Sequence, residues 1–230
     1  MKEKISIFVA HPDDEIIFFA PFFNKETDNL FNQNIFNREL ICLTCKSNKI
    51  RRSEFIKITN HIKCSPIHFD LPIVRGLPIL HFKENYKLIY PIIKNKTNIC
   101  VTHSLYGDDH FHPQHSIISL VCLFSSIKLR IPMIVPKSQK NLIYVLFSAF
   151  TVRTNFKSIK SILFIPIKII LIFLDYILFN KKYQLVADNE ILFEAKRIYK
   201  SQSLEYHSYK INKYSFGEIR KIWKIIFFIN

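Results

Sequence analysis

Several things are scarce in this sequence. Only three of its 230 residues are glycine, few for a protein with tight active-site turns. No internal repeat and no Gly/Ser- or Pro-rich linker divides the chain, and its length suits one domain, residues 1–230, with a full core. Acidic residues number 18 against 33 lysines and arginines, a formal charge of +15. That balance fits nucleic acid, an anionic membrane surface or a phosphorylated substrate. The bases are scattered, however, and neither an aromatic RNA-binding signature nor a helix-turn-helix pattern is present, so no nucleic-acid partner is expected.

Cysteine is limited to Cys42, Cys45, Cys64, Cys100 and Cys122. Cys42-Leu43-Thr44-Cys45 has the CxxC spacing but lacks a second pair and falls in an apolar run, which disfavours a thiol metal or redox site. Met1-Lys2-Glu3-Lys4 leads straight into another apolar run, leaving no space for a secretory leader. With the odd cysteine count, this gives the expectation of a reducing cytoplasm.

What the sequence does have is two clusters of chemistry. Ile5 to Ala10 reads as a buried strand that stops at His11-Pro12-Asp13-Asp14-Glu15. Three consecutive carboxylates at a buried strand end repel one another, and a metal cation is the simplest thing that makes them favourable. His11 and Asp14 are a nitrogen and an oxygen ligand of the kind zinc takes. The plainer alternative is that Pro12 opens a helix whose positive first turn welcomes the acids, but that leaves His11 unexplained.

The second cluster follows a strand at Asn98 to Thr102 and runs from His103 to His115, holding four of the nine histidines. In His112-Pro113-Gln114-His115, Pro113 suits the first position of a helix, and residues three apart then share a face. Two strands that each end in metal-ligand residue types fit a parallel sheet, where ligands bind beyond the carboxyl ends of the strands.

Ala10-His11-Pro12-Asp13-Asp14-Glu15 together with His112-Pro113-Gln114-His115 resembles the PIG-L/LmbE-like zinc-dependent de-N-acetylases. Weaker matches are Arg51 with Glu54, an Arg-x-x-Glu helix start, and Lys196 to Gln202, ending Lys200-Ser201-Gln202. The resemblance implies an α/β, Rossmann-like domain with a mainly parallel sheet flanked by helices and a metal site at the C-terminal ends of the strands. It implies hydrolysis of the N-acetyl group of an N-acetylglucosamine conjugate, in glycoconjugate or surface-polysaccharide synthesis. The implied metal ligands are His11, Asp14 and His115, with Zn2+ as the ion and Fe2+ as the other candidate at such N/O sites. Asp13 takes the place of the general base, and His112 that of the histidine that stabilises the oxyanion. The family often has aspartate where this chain has Gln114, which reads as a tuning difference, with Asp108 or Asp109 able to stand in. A non-catalytic metal-binding relative that holds a glycan or lipid, and a membrane-surface scaffold, are the alternatives.

The other elements follow from pattern. Helices are expected at Glu15 to Asn24, shortened by Pro21 with its phenylalanines in the core, at Arg51 to His61, Phe82 to Lys94, Ser116 to Leu129 and Glu190 to Tyr199. Strands are expected at Leu40 to Thr44, Pro66 to Leu71, Asn141 to Phe150 and Tyr183 to Asp188, and an amphipathic helix at Ile219 to Asn230. The loop at Lys46 to Lys49 is either a contact for a phosphate or sugar hydroxyls or simply a solvated basic loop, and the one holding Arg75 and Gly76 is a candidate for the substrate rim. His103 is a candidate for the pocket or the surroundings of the metal, and His61, His68, His81 and His207 read as structural or solvent-facing. Fifteen of the eighteen residues from Ile162 to Phe179 are apolar, with Pro166, Lys168 and Asp175 as exceptions. This stretch reads as a core helix, a helix in the membrane interface flanked by lysines, or a span. With the positive charge, it tilts the expected substrate towards a lipid-linked carrier, a nucleotide-linked one being the other choice, and the expected location towards the inner face of the membrane.

Overall fold

The computed structural model describes residues 3–23, 36–74, 78–107, 112–137, 159–179, 181–201 and 213–219. The first strand, β1 (Glu3–Val9), leads into the short helix α1 (Asp14–Phe19) and a 3-10 turn, Ala20–Phe23. Pro21 falls in that turn, where the helix tightens and ends. Next come β2 (Phe36–Cys42), α2 (Lys49–His61), β3 (Ser65–His68) and α3 (Phe82–Lys96), which a 3-10 turn at Pro78–His81 introduces. The remaining elements are β4 (Ile99–Val101), α4 (Pro113–Leu129), β5 (Met133–Lys137), α5 (Ile159–Leu178), β6 (Lys181–Val186), α6 (Asn189–Ile198) and β7 (Lys213–Ile219).

Among the described residues the strands form one sheet in the order β3-β2-β1-β4-β5-β7-β6. The first five are parallel, and β7 joins β5, and β6 joins β7, in antiparallel fashion. This is the mainly parallel α/β sheet that the sequence implies.

Strands buried on both faces read as unbroken apolar runs, and β1 shows why. Ile5, Ile7 and Val9 join one core with α1, α2 and α6, whereas Phe8 and Ala10 join the other with α3, α4 and α5. The same alternation continues through Leu40 and Ile41 in β2, Cys100 and Val101 in β4, and Met133 and Ile134 in β5. The result is a sheet between two helical layers. Strand order reverses between β1 and β4, so the chain leaves these neighbours in opposite directions and a crevice opens beyond their carboxyl ends.

Several expectations are corrected. The strand β5 is an addition: with Pro132 before its five residues and Pro136 inside, no strand is expected there. Pro136 is tolerated because β4 pairs only with Met133 and Ile134, leaving that side of Pro136 without a parallel neighbour. The third strand ends at His68, not Leu71, and Ile219 closes β7 and does not begin a helix. The proposed elements at 141–150 and 220–230, the loop residues Arg75 and Gly76, and Asp108 to His110 lie outside the described residues, as does His207.

The apolar stretch at Ile162 to Phe179 falls in α5. Its span reading is overturned, since no helix among the described residues is long and apolar enough to cross a membrane. Leu171, Ile172 and Phe179 pack in the core, whereas Ile170, Phe173, Leu174, Tyr176 and Ile177 are exposed. Asp175 is buried and accepts the Leu105 N–H at 3.0 Å, which ties the helix to the loop after β4.

The cysteines are free. Cys42 is buried in β2, and burial pushes its thiol well above the ordinary range, so it is not a ready thiolate.

Candidate functional site

The loop after β1 is built around the Asp14 carboxylate. Its Oδ2 accepts the N–H of Ala10 at 3.0 Å and of His11 at 2.7 Å, folding the side chain back over the turn. The Ala10 carbonyl is fixed from the other side by the N–H (3.1 Å) and hydroxyl (2.7 Å) of Thr44, just beyond β2. The loop after β4 is fastened as tightly. Ser119 donates its hydroxyl to the His103 carbonyl at 2.6 Å, and the His112 N–H donates to the Gly107 carbonyl at 2.8 Å. His112 is then the N-cap of α4 and Pro113 its first residue, which turns His115 inward.

These two loops bring His11, Asp14 and His115 together, although 104 residues separate the outer two. His11 Nδ1 is 3.5 Å from Asp14 Oδ2, His115 Nε2 is 3.4 Å from the same oxygen, and the two imidazole nitrogens are 3.4 Å apart. Nitrogen and oxygen ligands about 2.0–2.1 Å from one tetrahedral ion lie about 3.3–3.4 Å from each other. The triangle therefore has the size and the donor chemistry of a three-ligand metal site. Two groups of three share His115: His11, His112 and His115, and Asp14, His103 and His115, so each joins two corners of the triangle to one neighbouring histidine.

His103 is fully buried. Its Nε2 accepts the Ala10 N–H at 3.2 Å and lies 3.4 Å from Asp14 Oδ2, and its ring stacks on His115 with centroids 3.9 Å apart and planes 11° from parallel. His112 stacks on the other side of His115 at 4.5 Å, and is only partly buried, so it stands at the open end of the cluster. The side chain of Asp14 is an ionised one. Burial works to raise its pKa, but His115 and His103, and then the hydrogen bond to His11, hold it well below the usual carboxylate range.

Asp13 sits beside the triangle with φ 112° and ψ −30°, a conformation L-residues adopt only when their surroundings hold them there. Its pKa is pushed well up, chiefly by burial and then by the charges of Asp14 and Glu15, against the opposing pull of Arg51 and His115. Arg51 Nη2 lies 3.7 Å from Asp13 Oδ2 and donates to the Pro12 carbonyl at 3.4 Å. Glu54, one turn further along α2, accepts the Ser201 N–H at 2.9 Å, so the two weaker motif segments meet.

Two features were not legible from pattern. Phe19, Phe22 and Phe23 are core as expected, but Phe18 meets the rings of His103 and His115 edge-on, at 5.3 and 5.6 Å, and so borders the cluster. The Gln114 carboxamide does not face His112 through a hydrogen bond. Its Oε1 accepts the Val74 N–H at 2.6 Å, and its buried Nε2 has no hydrogen-bond partner among the described residues. The basic turn Lys46 to Lys49 is exposed, with Ser47 bound to Asp70 and Asn48 capping α2. His68 hydrogen-bonds the Thr44 carbonyl at 2.7 Å, a structural role as expected.

No protein-family model matches this chain, and no curated protein matches it in sequence. Solved structures do. A deacetylase triple mutant, Orf2*T, involved in the teicoplanin biosynthetic pathway superposes with a TM-score of 0.59 at 14% identity, over 96% of this chain and 99% of that one. Dbv21, a deacetylase of A40926 pseudoaglycone, gives 0.57 at 13% identity, over 95% and 98%. The N,N'-diacetylchitobiose deacetylase of Pyrococcus horikoshii gives 0.50 at 9% identity, over 96% and 85%. The chain has the fold of these deacetylases, the fold that its resemblance to the PIG-L/LmbE de-N-acetylases implied.

Proposed function

We propose that this protein is a metal-dependent hydrolase that removes the N-acetyl group from an N-acetylglucosamine-type conjugate. The observation that carries the reading is the triangle of His11 Nδ1, Asp14 Oδ2 and His115 Nε2, with edges of 3.4 to 3.5 Å, set beside an acid and a histidine. The names of the fold neighbours, deacetylases of a pseudoaglycone and of diacetylchitobiose, support the reaction class.

His11, Asp14 and His115 would hold a divalent cation, zinc by donor set, with iron the other candidate. When bound, such an ion supplies the Lewis acidity that acidifies water and polarises an amide carbonyl. Asp13 takes a proton from the attacking water as its oxygen adds to the carbonyl carbon. The raised pKa of Asp13 suits a group that must accept a proton and then give it up. His112, at the open end, donates a hydrogen bond to the oxygen on which charge develops. Asp13 then passes its proton to the departing nitrogen, the C–N bond breaks, and acetate and a free amine leave. Phe18, edge-on to His103 and His115, adds an apolar surface beside them.

The test is acetate release from free, nucleotide-linked and lipid-linked N-acetylglucosamine, with metal chelated and then restored. Release that disappears and returns with metal is the expected result. No release from any compound by metal-loaded protein would sink the reading and favour a non-catalytic glycan or lipid binder.

A second reading concerns the carrier. Ile170, Phe173, Leu174 and Ile177 are exposed at the spacing of one helix stripe, so α5 is apolar on the side away from the core as well. With a formal charge of +15, this supports a peripheral contact with an anionic membrane and a lipid-linked substrate. Co-sedimentation with phosphatidylglycerol vesicles that Phe173→Ser with Ile177→Ser abolishes is the expected result. Equal recovery in the supernatant with and without vesicles would remove this reading and leave a nucleotide-linked or free sugar.

A further inference from the structure

Asp13 needs something to hold its backbone at φ 112°. Two struts converge on it, and both start at the far end of the chain. The Asp13 N–H donates to Glu15 Oε2 at 3.1 Å. Glu15 is fully buried, and its other oxygen, Oε1, accepts the hydroxyl of Tyr199, a buried residue 184 positions away that caps the C-terminal end of α6. Two residues later, Ser201 donates its N–H and its hydroxyl to the two carboxylate oxygens of Glu54. Glu54 lies one turn beyond Arg51, whose guanidinium faces the Asp13 carboxylate.

We propose that Tyr199 is a positioning residue for the general base. Its hydroxyl fixes Glu15, Glu15 fixes the Asp13 N–H, and the strained turn delivers the Asp13 carboxylate to the edge of the His11-Asp14-His115 triangle. The proposal rests on the deacetylase reading of the site. Without the hydroxyl, the Glu15 carboxylate keeps only its backbone hydrogen bonds, from Asp13 and from Glu15 itself, Oε1 loses its side-chain partner, and the acceptor of the Asp13 N–H is less firmly fixed, so the turn relaxes towards ordinary backbone. Asp14 is held separately, by the N–H groups of Ala10 and His11, so the metal triangle stays in place. A purely architectural Tyr199 would lower stability and leave turnover per folded molecule untouched.

The experiment compares wild type, Tyr199→Phe, Glu15→Gln and the double variant as metal-loaded full-length chains. It measures bound metal, circular dichroism, and kcat and KM on the compound that wild type hydrolyses. Tyr199→Phe is expected to keep its metal and native spectrum, to hold KM within about twofold and to lose at least about tenfold in kcat. The double variant is expected to be no worse than the worse single one, because both break the same strut. An unchanged kcat, or a loss that only follows the folded fraction, overturns the proposal, and so does loss of metal together with activity. A crystal structure of Tyr199→Phe judges the strut without turnover: Asp13 leaving the positive-φ region supports it, and an unmoved Asp13 overturns it. A wild type that hydrolyses no amide refutes the deacetylase reading alone, and the crystal structure still decides the strut.

Discussion

Gly107 lies directly against His112. A β-carbon at Gly107 would come within 2.4 Å of the His112 carbonyl oxygen and 2.5 Å of Ser116 Oγ, and the residue has φ +76°. One of only three glycines in the chain is thus spent where the loop after β4 closes on the first turn of α4, which aims both His112 and His115. Gly107→Ala should lower the melting temperature by roughly 2–8 °C from the positive φ alone. The clash adds to this, and metal affinity should fall with it. Metal titration by calorimetry checks the second point, and wild-type affinity in the variant would show that the loop does not set the triangle.

The residues around the triangle should separate by role. Alanine at His11, Asp14 or His115 should leave no bound metal in the purified chain, as read by elemental analysis. Asp13→Ala should retain metal and lose hydrolysis, and full hydrolysis by that variant would refute its place as the base. His112→Ala should keep metal and slow turnover by about 10²- to 10³-fold, the usual cost of one oxyanion donor.

Gln114 stands where the family often has aspartate, and its bond to the Val74 N–H at 2.6 Å makes it a fastener for the segment after β3. Gln114→Leu should leave that buried N–H without an acceptor and cost about 1–3 kcal/mol, with kcat little changed at temperatures where the protein stays folded. A tenfold loss of kcat with unchanged stability would restore the idea that this position tunes His112.

Much of the fold and most of the site was legible because the signals are local. The apolar run before His11, Pro113 at the start of α4 and the spacing of His112 and His115 each follow from short-range rules. The strand β5 was hidden by Pro132 before it and Pro136 inside it, because only tertiary pairing shows that Pro136 extends beyond β4 and needs no partner there. Contacts across the sequence were equally hidden. Nothing in periodicity links Tyr199 to Glu15, or Gln114 to Val74, or shows that Phe18 reaches both His103 and His115 while Phe19 reaches His103 alone.

Burial gives Glu15 a pH signature. Its pKa is raised from 4.5 to about 7, chiefly by burial, against hydrogen bonds from Tyr199 and the backbone. In the metal-free protein the folded state therefore keeps a proton that the unfolded chain loses at lower pH. The stability this contributes is full below pH 4.5, falls as pH rises towards 7 and is absent above it. The shift corresponds to roughly 3 kcal/mol, at about 1.4 kcal/mol per unit. Urea denaturation of the metal-free wild type should lose stability between pH 4.5 and 8 relative to Glu15→Gln, which carries no titrating group. Parallel curves would show that Glu15 is charged in the folded state.

Asp175 ties its apolar helix to the loop after β4. In sequence it is only a charge interrupting the run from Ile162 to Phe179, an argument against a span. In the fold it is 2% exposed and accepts the N–H of Leu105, two residues after His103 and two before Gly107. A carboxylate buried on a core helix is costly unless its oxygens are satisfied, so its retention marks the loop it holds. Asp175→Asn keeps an acceptor for Leu105 and should stay close to wild type in melting temperature and metal affinity. Asp175→Leu removes it, leaves a buried N–H unpaired and should cost about 1–3 kcal/mol, with metal affinity falling as the His103 to Gly107 loop loosens. If the leucine variant binds metal like wild type, the Asp175 contact does not set the site, and the His103 to Gly107 loop is held by Ser119 and Gly107 without it.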